Sequence, residues 1–382
     1  MNVFKINGKY YKYESFWRNL KSEPEYDSMN ILLPYPKEHK KWSNQELFLS
    51  KLKSSQNGIK DKFIKYDSKK SCLLCGKKNI TTGVYTLNNI RWEDGLFHYI
   101  KEHNIKPSEK FIDSIFLHEI NPKIISVKRS VKVKGQLIVK NSMKYLKLSR
   151  NQILIMDALM EHGGKKQYID KKNNKLFRYS EHAGLLDFNN KGLDRVIVYG
   201  DSNRVETNDS DIYFPGEMID AFDYEYIFHT HPPTPKPGGR ANIGIIQEFP
   251  SISDIFHFIE HYNNGETQGS IVIAPEGMYI IRKYKQDNKL INSDIDQLYR
   301  VLKKLYNTVY RKSSDKYGVD FTTEEFYSVI AQDLSYIQEI NETLNKFDLH
   351  IDYYSRIKDK SNKWVIDTVY IPIYVVEPVN IN

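Results

Sequence analysis

Cysteine is scarce in this chain, because only Cys72 and Cys75 among its 382 residues carry a thiol. That count excludes a disulfide scaffold and favours a reducing, intracellular compartment. Long apolar runs are also lacking, since none approaches the roughly 20 residues needed to span a bilayer. The residues from Met1 to Tyr13 lack the apolar core of a signal peptide. These absences predict a soluble, cytoplasmic protein without a membrane partner, which for a viral chain means the host cytoplasm.

A strong charge of either sign is lacking too. Lys and Arg number 56 against 48 Asp and Glu, a formal net charge of +8 that is expected to be spread along the chain. An excess of this size favours acidic partners only weakly, so nucleic acid is a weakly supported partner. Hydrophobic residues make up 40% and charged residues 27%, as in folded globular proteins, and the length predicts two or three domains.

The most informative segment contains His229 and His231, which follow the apolar stretch 224–228. That stretch predicts a buried strand, and residues i and i+2 of a strand point to the same face, so both imidazoles can reach one ion. Asp254 follows Ser251 by three residues, near the start of a predicted helix, and offers an oxygen ligand. Two imidazoles and one carboxylate, with a fourth position left for water, are the donor set of a catalytic zinc ion.

The order of these residues resembles the JAMM/MPN family of zinc isopeptidases and peptidases, many of which remove ubiquitin-like modifiers. The resemblance covers residues of about 145–285 and rests on an upstream Glu, then H-x-H, then S-x-x-D. It implies that His229, His231 and Asp254 are zinc ligands and that Ser251 steadies the oxyanion of the reaction. It also implies that the zinc activates a water molecule whose proton the upstream carboxylate takes and passes to the leaving amine.

Two glutamates fit the E-x-x-G opening of the family. Glu181 stands before a stretch, 182–186, that completes E-x-x-G-L-L and leads into a predicted strand. Glu161 closes a helix predicted over 148–160 and runs into a loop at Gly163 and Gly164. Because the strand would carry Glu181 to the end of the sheet beside the histidines, Glu181 is the favoured general base.

One departure from the family pattern is the length of the loop that follows the histidines. Nineteen residues, Pro232–Pro250, separate the second histidine from Ser251, where the family usually has a shorter loop. Long loops between catalytic elements often act as lids or bind substrate, so three readings of this loop stay open: it selects a substrate, covers the site or marks a degenerate enzyme. His257 and His261 lie on the Asp254 face of the predicted helix, and we expect them to support the site or lie at the surface rather than bind metal.

A second cluster of metal-ligand residues lies upstream. Cys72 and Cys75 form C-x2-C, and after a spacer of 22 residues His98 and His103 form H-x4-H. Four nitrogen and sulfur ligands with short paired spacings suit a closed, structural zinc site. The sequence therefore predicts a zinc finger-like module that serves fold stability or partner recognition. The alternative is a reduced C-x2-C pair with unrelated surface histidines.

Strands that alternate with helices predict an α/β fold, a JAMM/MPN-like mixed sheet flanked by helices. The expected segments are 1–66, of unclear fold; 67–108, zinc finger-like; 109–290, the metalloprotease domain; and 291–382, an α+β addition. In the first segment Asn7 and Gly8 predict a hairpin, and Ser43 is the expected cap of a short helix over 43–52. In the second segment a helix predicted over 96–103 presents both histidines. In the last segment a capping box at Thr322 predicts a helix that reaches Leu344. A strand predicted over 364–376 contains Pro372, which favours an edge position or a bulge.

The sequence thus predicts a zinc-dependent peptide or isopeptide hydrolase, with ubiquitin-like conjugates as the leading substrate class by resemblance. One alternative is an inactive zinc-binding scaffold that acts by protein contact, although no expected ligand is missing. Another is a DNA-associated role, which one bacterial branch of the superfamily has. A zinc deaminase is disfavoured, because its H-x-E precedes P-C-x-x-C, whereas both cysteines here precede the histidines.

Overall fold

The computed structural model describes residues 1–42, 44–87, 89–117, 139–165, 168–169, 177–189, 192–198, 203–204, 224–234, 236–265, 267–284 and 295–378. The chain divides into two compact units, Met1–Ile120 and Asn121–Asn382. The first unit therefore contains the expected segments 1–66 and 67–108 together with the first residues of 109–290, and the second unit contains the rest of the chain. The boundary drawn between residues 66 and 67 falls within a strand of the first unit, and the segment 291–382 adds a strand to the main sheet of the second.

The first unit is a five-stranded sheet with three helices. Its elements are β1 (Asn2–Ile6), β2 (Lys9–Glu14), α1 (Gln45–Gly58), a 3-10 turn (Lys60–Lys62), β3 (Ile64–Lys70), β4 (Thr81–Leu87), β5 (Ile90–Glu93), α2 (Leu96–His103) and α3 (Glu109–Leu117). The strand order is β1-β2-β5-β4-β3, which leaves β3 at one edge. The predicted hairpin at Asn7 and Gly8 is confirmed, and both residues have the positive φ that a type I′ turn requires, 49° and 78°.

Aromatic side chains form the core of the first unit. Trp92 on β5 is fully buried, and its ring centroid lies 5.1 Å from that of Phe111 on α3. The ring centroid of Phe48 on α1 lies 6.0 Å from that of Phe111. The helix predicted from Ser43 is present as α1, which begins at Gln45, while Ser43 itself lies outside the described residues.

The second unit contains a six-stranded mixed sheet covered by helices. Its elements are β6 (Val139–Leu148), α4 (Arg150–Lys165), β7 (Tyr168–Ile169), β8 (Phe177–Arg178), β9 (Ser180–Glu181), β10 (Ala183–Asn189), β11 (Gly192–Val198), β12 (Asn203–Arg204), β13 (Tyr226–Thr230), a 3-10 turn (Ala241–Ile243), α5 (Ile252–Asn264), β14 (Gly269–Ile273), β15 (Gly277–Lys283), α6 (Ile295–Tyr317), α7 (Thr323–Glu325), a π turn (Phe326–Ile330), α8 (Ser335–Leu344), a 3-10 turn (Asn345–Phe347), β16 (Leu349–Ser355), β17 (Ile357–Lys358), β18 (Trp364–Val365) and β19 (Val369–Pro378). The order of the sheet is β11-β10-β13-β14-β15-β16, in which only β13 and β14 run parallel. The α/β class is confirmed.

Alternating side chains give this sheet a hydrophobic core on each face. On β15, Met278 and Ile280 point into one core, which includes residues of α4, β6 and β19. Tyr279 and Ile281, one position out of phase, point into the other core, which includes residues of α5, α6 and α8. This period of two, in a strand buried on both faces, explains the near-continuous apolar sequence of β14 and β15.

Three expected elements differ from those observed. The helix expected to end at Gly163 instead runs to Lys165, and a Cβ on Gly163 would lie 2.1 Å from the carbonyl oxygen of Ser180, so glycine permits close packing against β9. The helix expected from Thr322 to Leu344 is broken between the π turn and α8. The last predicted strand is two strands, β18 and β19. Pro372 lies in β19, whose only described partner strand is β6, so its edge position is confirmed.

Candidate metal centres

The end of β13, an interior strand, carries His229 and His231 to one end of the strands of the main sheet. His229 is 1% exposed and pairs with Ala183 on β10. Beyond β13, the backbone N–H of His231 donates to the carbonyl oxygen of Ile273 on the neighbouring β14, at 2.8 Å. Strands on both sides therefore fix the backbone that carries the imidazoles.

Three donor atoms converge at this position. The Nε2 atoms of His229 and His231 are 3.1 Å apart, and each lies 3.4 Å from an oxygen of Asp254. Ligand atoms of a tetrahedral zinc ion lie about 3.4 Å from one another. The Oδ1 atom of Asp254 is buried and has no hydrogen-bond partner. The three side chains thus fit a divalent metal ion of zinc size.

Asp254 reaches the site because it lies in the first turn of α5. Its Oδ2 atom accepts a hydrogen bond from the backbone N–H of Ser251 at 2.6 Å, and its own N–H donates to Ser251 Oγ at 3.2 Å, which together form a capping box. The hydroxyl of Ser251 also lies 2.8 Å from Ser253 Oγ. The helix cap therefore holds the carboxylate in place, with Oδ1 near His229 and Oδ2 near His231.

Hydrogen bonds fix the orientation of the His231 ring, and charge determines its protonation. Its Nδ1 lies 2.8 Å from the carbonyl oxygen of Glu248, so Nδ1 donates and Nε2 faces Asp254. Burial lowers the pKa of His231, but the hydrogen bond and charge of Asp254 outweigh it and raise that pKa to about 10. The imidazoles hold the pKa of Asp254 well below its usual range, against the effect of burial. Metal binding must therefore displace a proton from this pair.

Glu181 is the glutamate that the fold brings to this centre. It directly precedes His182, whose carbonyl oxygen accepts a hydrogen bond from Thr230 N–H at 2.9 Å, so in register Glu181 lies opposite His231. Burial raises the pKa of the Glu181 carboxyl, while the charges of the two site histidines lower it. Glu161, the other candidate, is exposed on α4.

The loop Pro232–Pro250 is packed into the structure rather than extended from it. Arg240 Nε donates to Glu248 Oε1 at 2.8 Å, and the Glu248 side chain is only 3% exposed. Ile246 is fully buried in a cluster with Phe326 of the π turn. Because the backbone of Glu248 also orients His231, this loop is part of the construction of the site. Neither Arg240 nor Glu248 was predicted to belong to the site, since neither lies in a recognisable sequence motif.

His257 and His261 lie further along α5. Their ring centroids are 6.3 Å apart, and burial together with the charge of His257 lowers the pKa of His261 to about 4. Among the described residues, the donor atoms that converge in this unit come from His229, His231 and Asp254.

The second group of candidate metal ligands lies in the first unit. The structure brings its four expected residues, Cys72, Cys75, His98 and His103, together. Cys72 Sγ is 3.3 Å from His103 Nε2, and Cys75 Sγ is 3.4 Å from His98 Nε2. All four donor atoms lie within 4.8 Å of one another. For a tetrahedral zinc ion, a sulfur and a nitrogen ligand lie about 3.5 Å apart. The group therefore also fits a zinc ion.

Local structure explains how these four residues meet. The N–H of Gly76 donates to the carbonyl oxygen of Cys72 at 3.0 Å and closes a tight turn, in which Gly76 has a φ of 71°. Both histidines lie on α2, as expected. His103 Nδ1 contacts Glu38 Oε1 at 2.6 Å, a carboxylate–histidine pair of the kind that orients metal ligands. Glu38 lies far upstream and carries no sequence signal.

The fold and the two clusters define a mixed α/β protein with one candidate metal centre in each unit. The chain belongs to the same family as an uncharacterized protein of Acanthamoeba polyphaga mimivirus, to which it is 34% identical over 301 residues, covering 77% of this chain and 83% of that protein. No family model matches the chain. No solved structure matches it either. No helix in the described part of the chain is long and apolar enough to cross a membrane.

Proposed function

We propose that this protein is a zinc-dependent peptide or isopeptide hydrolase of JAMM type that acts on protein substrates of the ubiquitin-like conjugate class. The observation that carries the proposal is the convergence of His229, His231 and Asp254, with donor atoms 3.1–3.4 Å apart, beside a glutamate whose pKa is raised by burial. The substrate class rests on the resemblance of residues of about 145–285 to that family.

Each residue has a chemical role in this proposal. His229, His231 and Asp254 would hold the ion, which when bound would polarise a carbonyl and make water acidic near neutral pH. Glu181 would take a proton on its carboxylate and return it to the leaving amine, a task that its raised pKa supports. Ser251 Oγ would donate a hydrogen bond to the oxygen that becomes negative.

We also propose that Cys72, Cys75, His98 and His103 form a structural, finger-like zinc site. Its support is the donor set itself, since four nitrogen and sulfur ligands leave no open coordination position for a substrate. The four proposed ligands differ in burial: Cys72 and His103 are buried, whereas Cys75 is exposed. Such a site would tie the turn at Cys72 to α2 and stabilise the first unit.

Zinc content and cleavage test both sites together. We expect two zinc ions per chain in the wild type and one in each double variant, His229→Ala with His231→Ala and Cys72→Ala with Cys75→Ala. A panel of ubiquitin chains should be cleaved by the wild type and not by the histidine double variant.

Glu181→Gln should keep both zinc ions and lose cleavage, because it removes the proton carrier and none of the proposed ligands. Glu161→Gln is its matched control and should cleave as the wild type does, since Glu161 is exposed on α4. Zinc binding that does not depend on His229 and His231 would refute the catalytic centre. Two zinc ions without cleavage of any conjugate or peptide would instead support a zinc-binding scaffold.

A further inference from the structure

The positive charge of the protein is concentrated, contrary to the expectation that it is spread. Residues 1–120 contain 21 Lys and Arg against 14 Asp and Glu, whereas the remaining residues contain 35 against 34. Within the first unit, residues 51–78 contain nine lysines and only two acidic residues. This short segment therefore has an excess of seven positive charges, nearly all of the net charge.

These lysines lie on consecutive parts of one surface segment. It begins in the second half of α1, passes through the 3-10 turn and the edge strand β3, and ends at the turn of the cysteine pair. We call its exposed lysines the lysine strip; they are Lys53, Lys60, Lys62, Lys65, Lys69, Lys77 and Lys78. None of the seven forms an ion pair with any residue in the described part of the chain. Within the described residues no ion pair neutralises these seven charges, so they are available to an external partner.

The structure also holds parts of the strip in place. The carbonyl oxygen of Lys77 accepts a hydrogen bond from Cys72 N–H at 2.9 Å, and the carbonyl oxygen of Lys60 accepts one from Phe63 N–H at 3.2 Å. The neighbouring Lys70 is bound to Glu93 at 2.6 Å and is not part of the strip. Between these anchored ends β3 is extended, and at about 3.3 Å per residue its seven residues span roughly 20 Å.

The surroundings of the strip disfavour an apolar partner. Ile64 is the only large apolar side chain from 51 to 78 that is strongly exposed, at 49%. A protein interface of ordinary size buries a central apolar patch, and a membrane-binding surface inserts several apolar side chains. The unpaired lysines of this segment are instead complementary in charge to a polymer that carries negative charges at regular intervals.

We propose that the lysine strip binds the phosphate backbone of nucleic acid without base selectivity. A duplex carries one negative charge per about 1.7 Å of its axis when both strands are counted, so roughly 20 Å of duplex carries about 12 phosphates, enough for the seven lysines of the strip. Lysine contacts phosphates as a point charge, and phosphate contacts carry no information on base sequence. The inference concerns the first unit and is independent of the proposed hydrolase activity.

Salt dependence of binding tests this proposal directly. Binding of the full chain to a short fluorescent DNA duplex should weaken steeply as salt rises from about 50 to about 200 mM. Substitution of Lys60, Lys62, Lys65 and Lys69 by Gln should lower affinity at least tenfold. It should also reduce the slope of log affinity against log salt by about 0.9 for each phosphate that the variant no longer neutralises.

A control variant separates the strip from net charge. Lys303, Lys304, Lys346 and Lys360 are exposed lysines of the second unit, and their substitution by Gln changes the net charge equally. This variant should bind within twofold of the wild type. Equal weakening by both variants would overturn the proposal, as would absence of duplex binding at low salt or tighter binding to phosphatidylserine vesicles. Unchanged zinc content of the strip variant shows that its first unit is folded.

Discussion

The buried carboxyl of Glu276 should make the stability of the second unit depend on pH. Glu276 lies in the turn between β14 and β15 and is fully buried. Its Oε1 accepts a hydrogen bond from Tyr279 Oη at 2.7 Å, and its Oε2 is buried without a partner. Burial, assisted by the charge of Glu248 and opposed by the Tyr279 hydrogen bond, raises the pKa of Glu276 from 4.5 to about 7.

The direction and size of the effect follow from linkage. A carboxyl whose pKa is raised in the folded state stabilises the fold fully below its unfolded pKa, and this contribution is lost as pH rises through the folded pKa. The shift from 4.5 to about 7 corresponds to at most about 3 kcal/mol, lost between those two pH values. At alkaline pH the ionised carboxylate therefore destabilises the folded state.

The substitution Glu276→Gln should remove this pH dependence. The amide oxygen can still accept from Tyr279, while the NH2 group lacks an acceptor, so near pH 5 we expect the variant to be about 1 kcal/mol less stable than the wild type. Near pH 9 it should be more stable by about 2 kcal/mol, because the wild type must then ionise a buried group. Denaturant unfolding at both pH values measures this reversal.

The exposed Glu342 supplies the matched control, since Glu342→Gln makes the same chemical change on the surface of α8 and should leave stability unchanged at both pH values. If the difference between Glu276→Gln and the wild type stays constant from pH 5 to pH 9, the carboxyl does not titrate as argued.

Two further predictions concern packing and charge in the second unit. Asp157 receives two hydrogen bonds from the guanidinium of Arg356, at 2.5 and 2.8 Å, and Asp157→Asn should cost about 3–5 kcal/mol in denaturant unfolding because a buried charge loses its partner. A cost below about 1 kcal/mol would contradict this. A Cβ on Gly184 would lie 2.1 Å from the carbonyl oxygen of Ile197, so Gly184→Ala should lower the melting temperature. A Cβ on Gly58 would have no atom within 4 Å, so the control Gly58→Ala should not lower it. Equal effects of the two substitutions would refute the steric argument.

Much of the local structure was predictable from short-range patterns. The hairpin at Asn7 and Gly8 follows from the positive φ that these residue types tolerate. The helix after Ser251 follows from its capping box, and the strands around 226–230 and 277–283 follow from apolar runs of strand length. These features depend on residues that are close in sequence, so local sequence patterns predict them.

The ends of the helices were predicted less well where contacts with residues distant in sequence determine them. Gly163 and Gly164 suggest a helix end, yet the helix continues because these glycines allow it to pack against Ser180 and Pro233. The break before α8 has no glycine or proline to announce it. At Gly163 and Gly164, packing partners remote in sequence outweigh the local signal.

By itself, the sequence determined the donor types and their spacing at both candidate metal centres. His229 and His231 share a face because a strand repeats every two residues, and α2 presents both His98 and His103. The sequence favoured Glu181 over Glu161 without excluding Glu161, and the tertiary structure brought Glu181 opposite His231 through the register of β10 with β13. The tertiary structure also brought Glu248 to His231 and Glu38 to His103, where each orients the imidazole. These hydrogen bonds join residues that are distant in the chain, so no sequence motif predicts them.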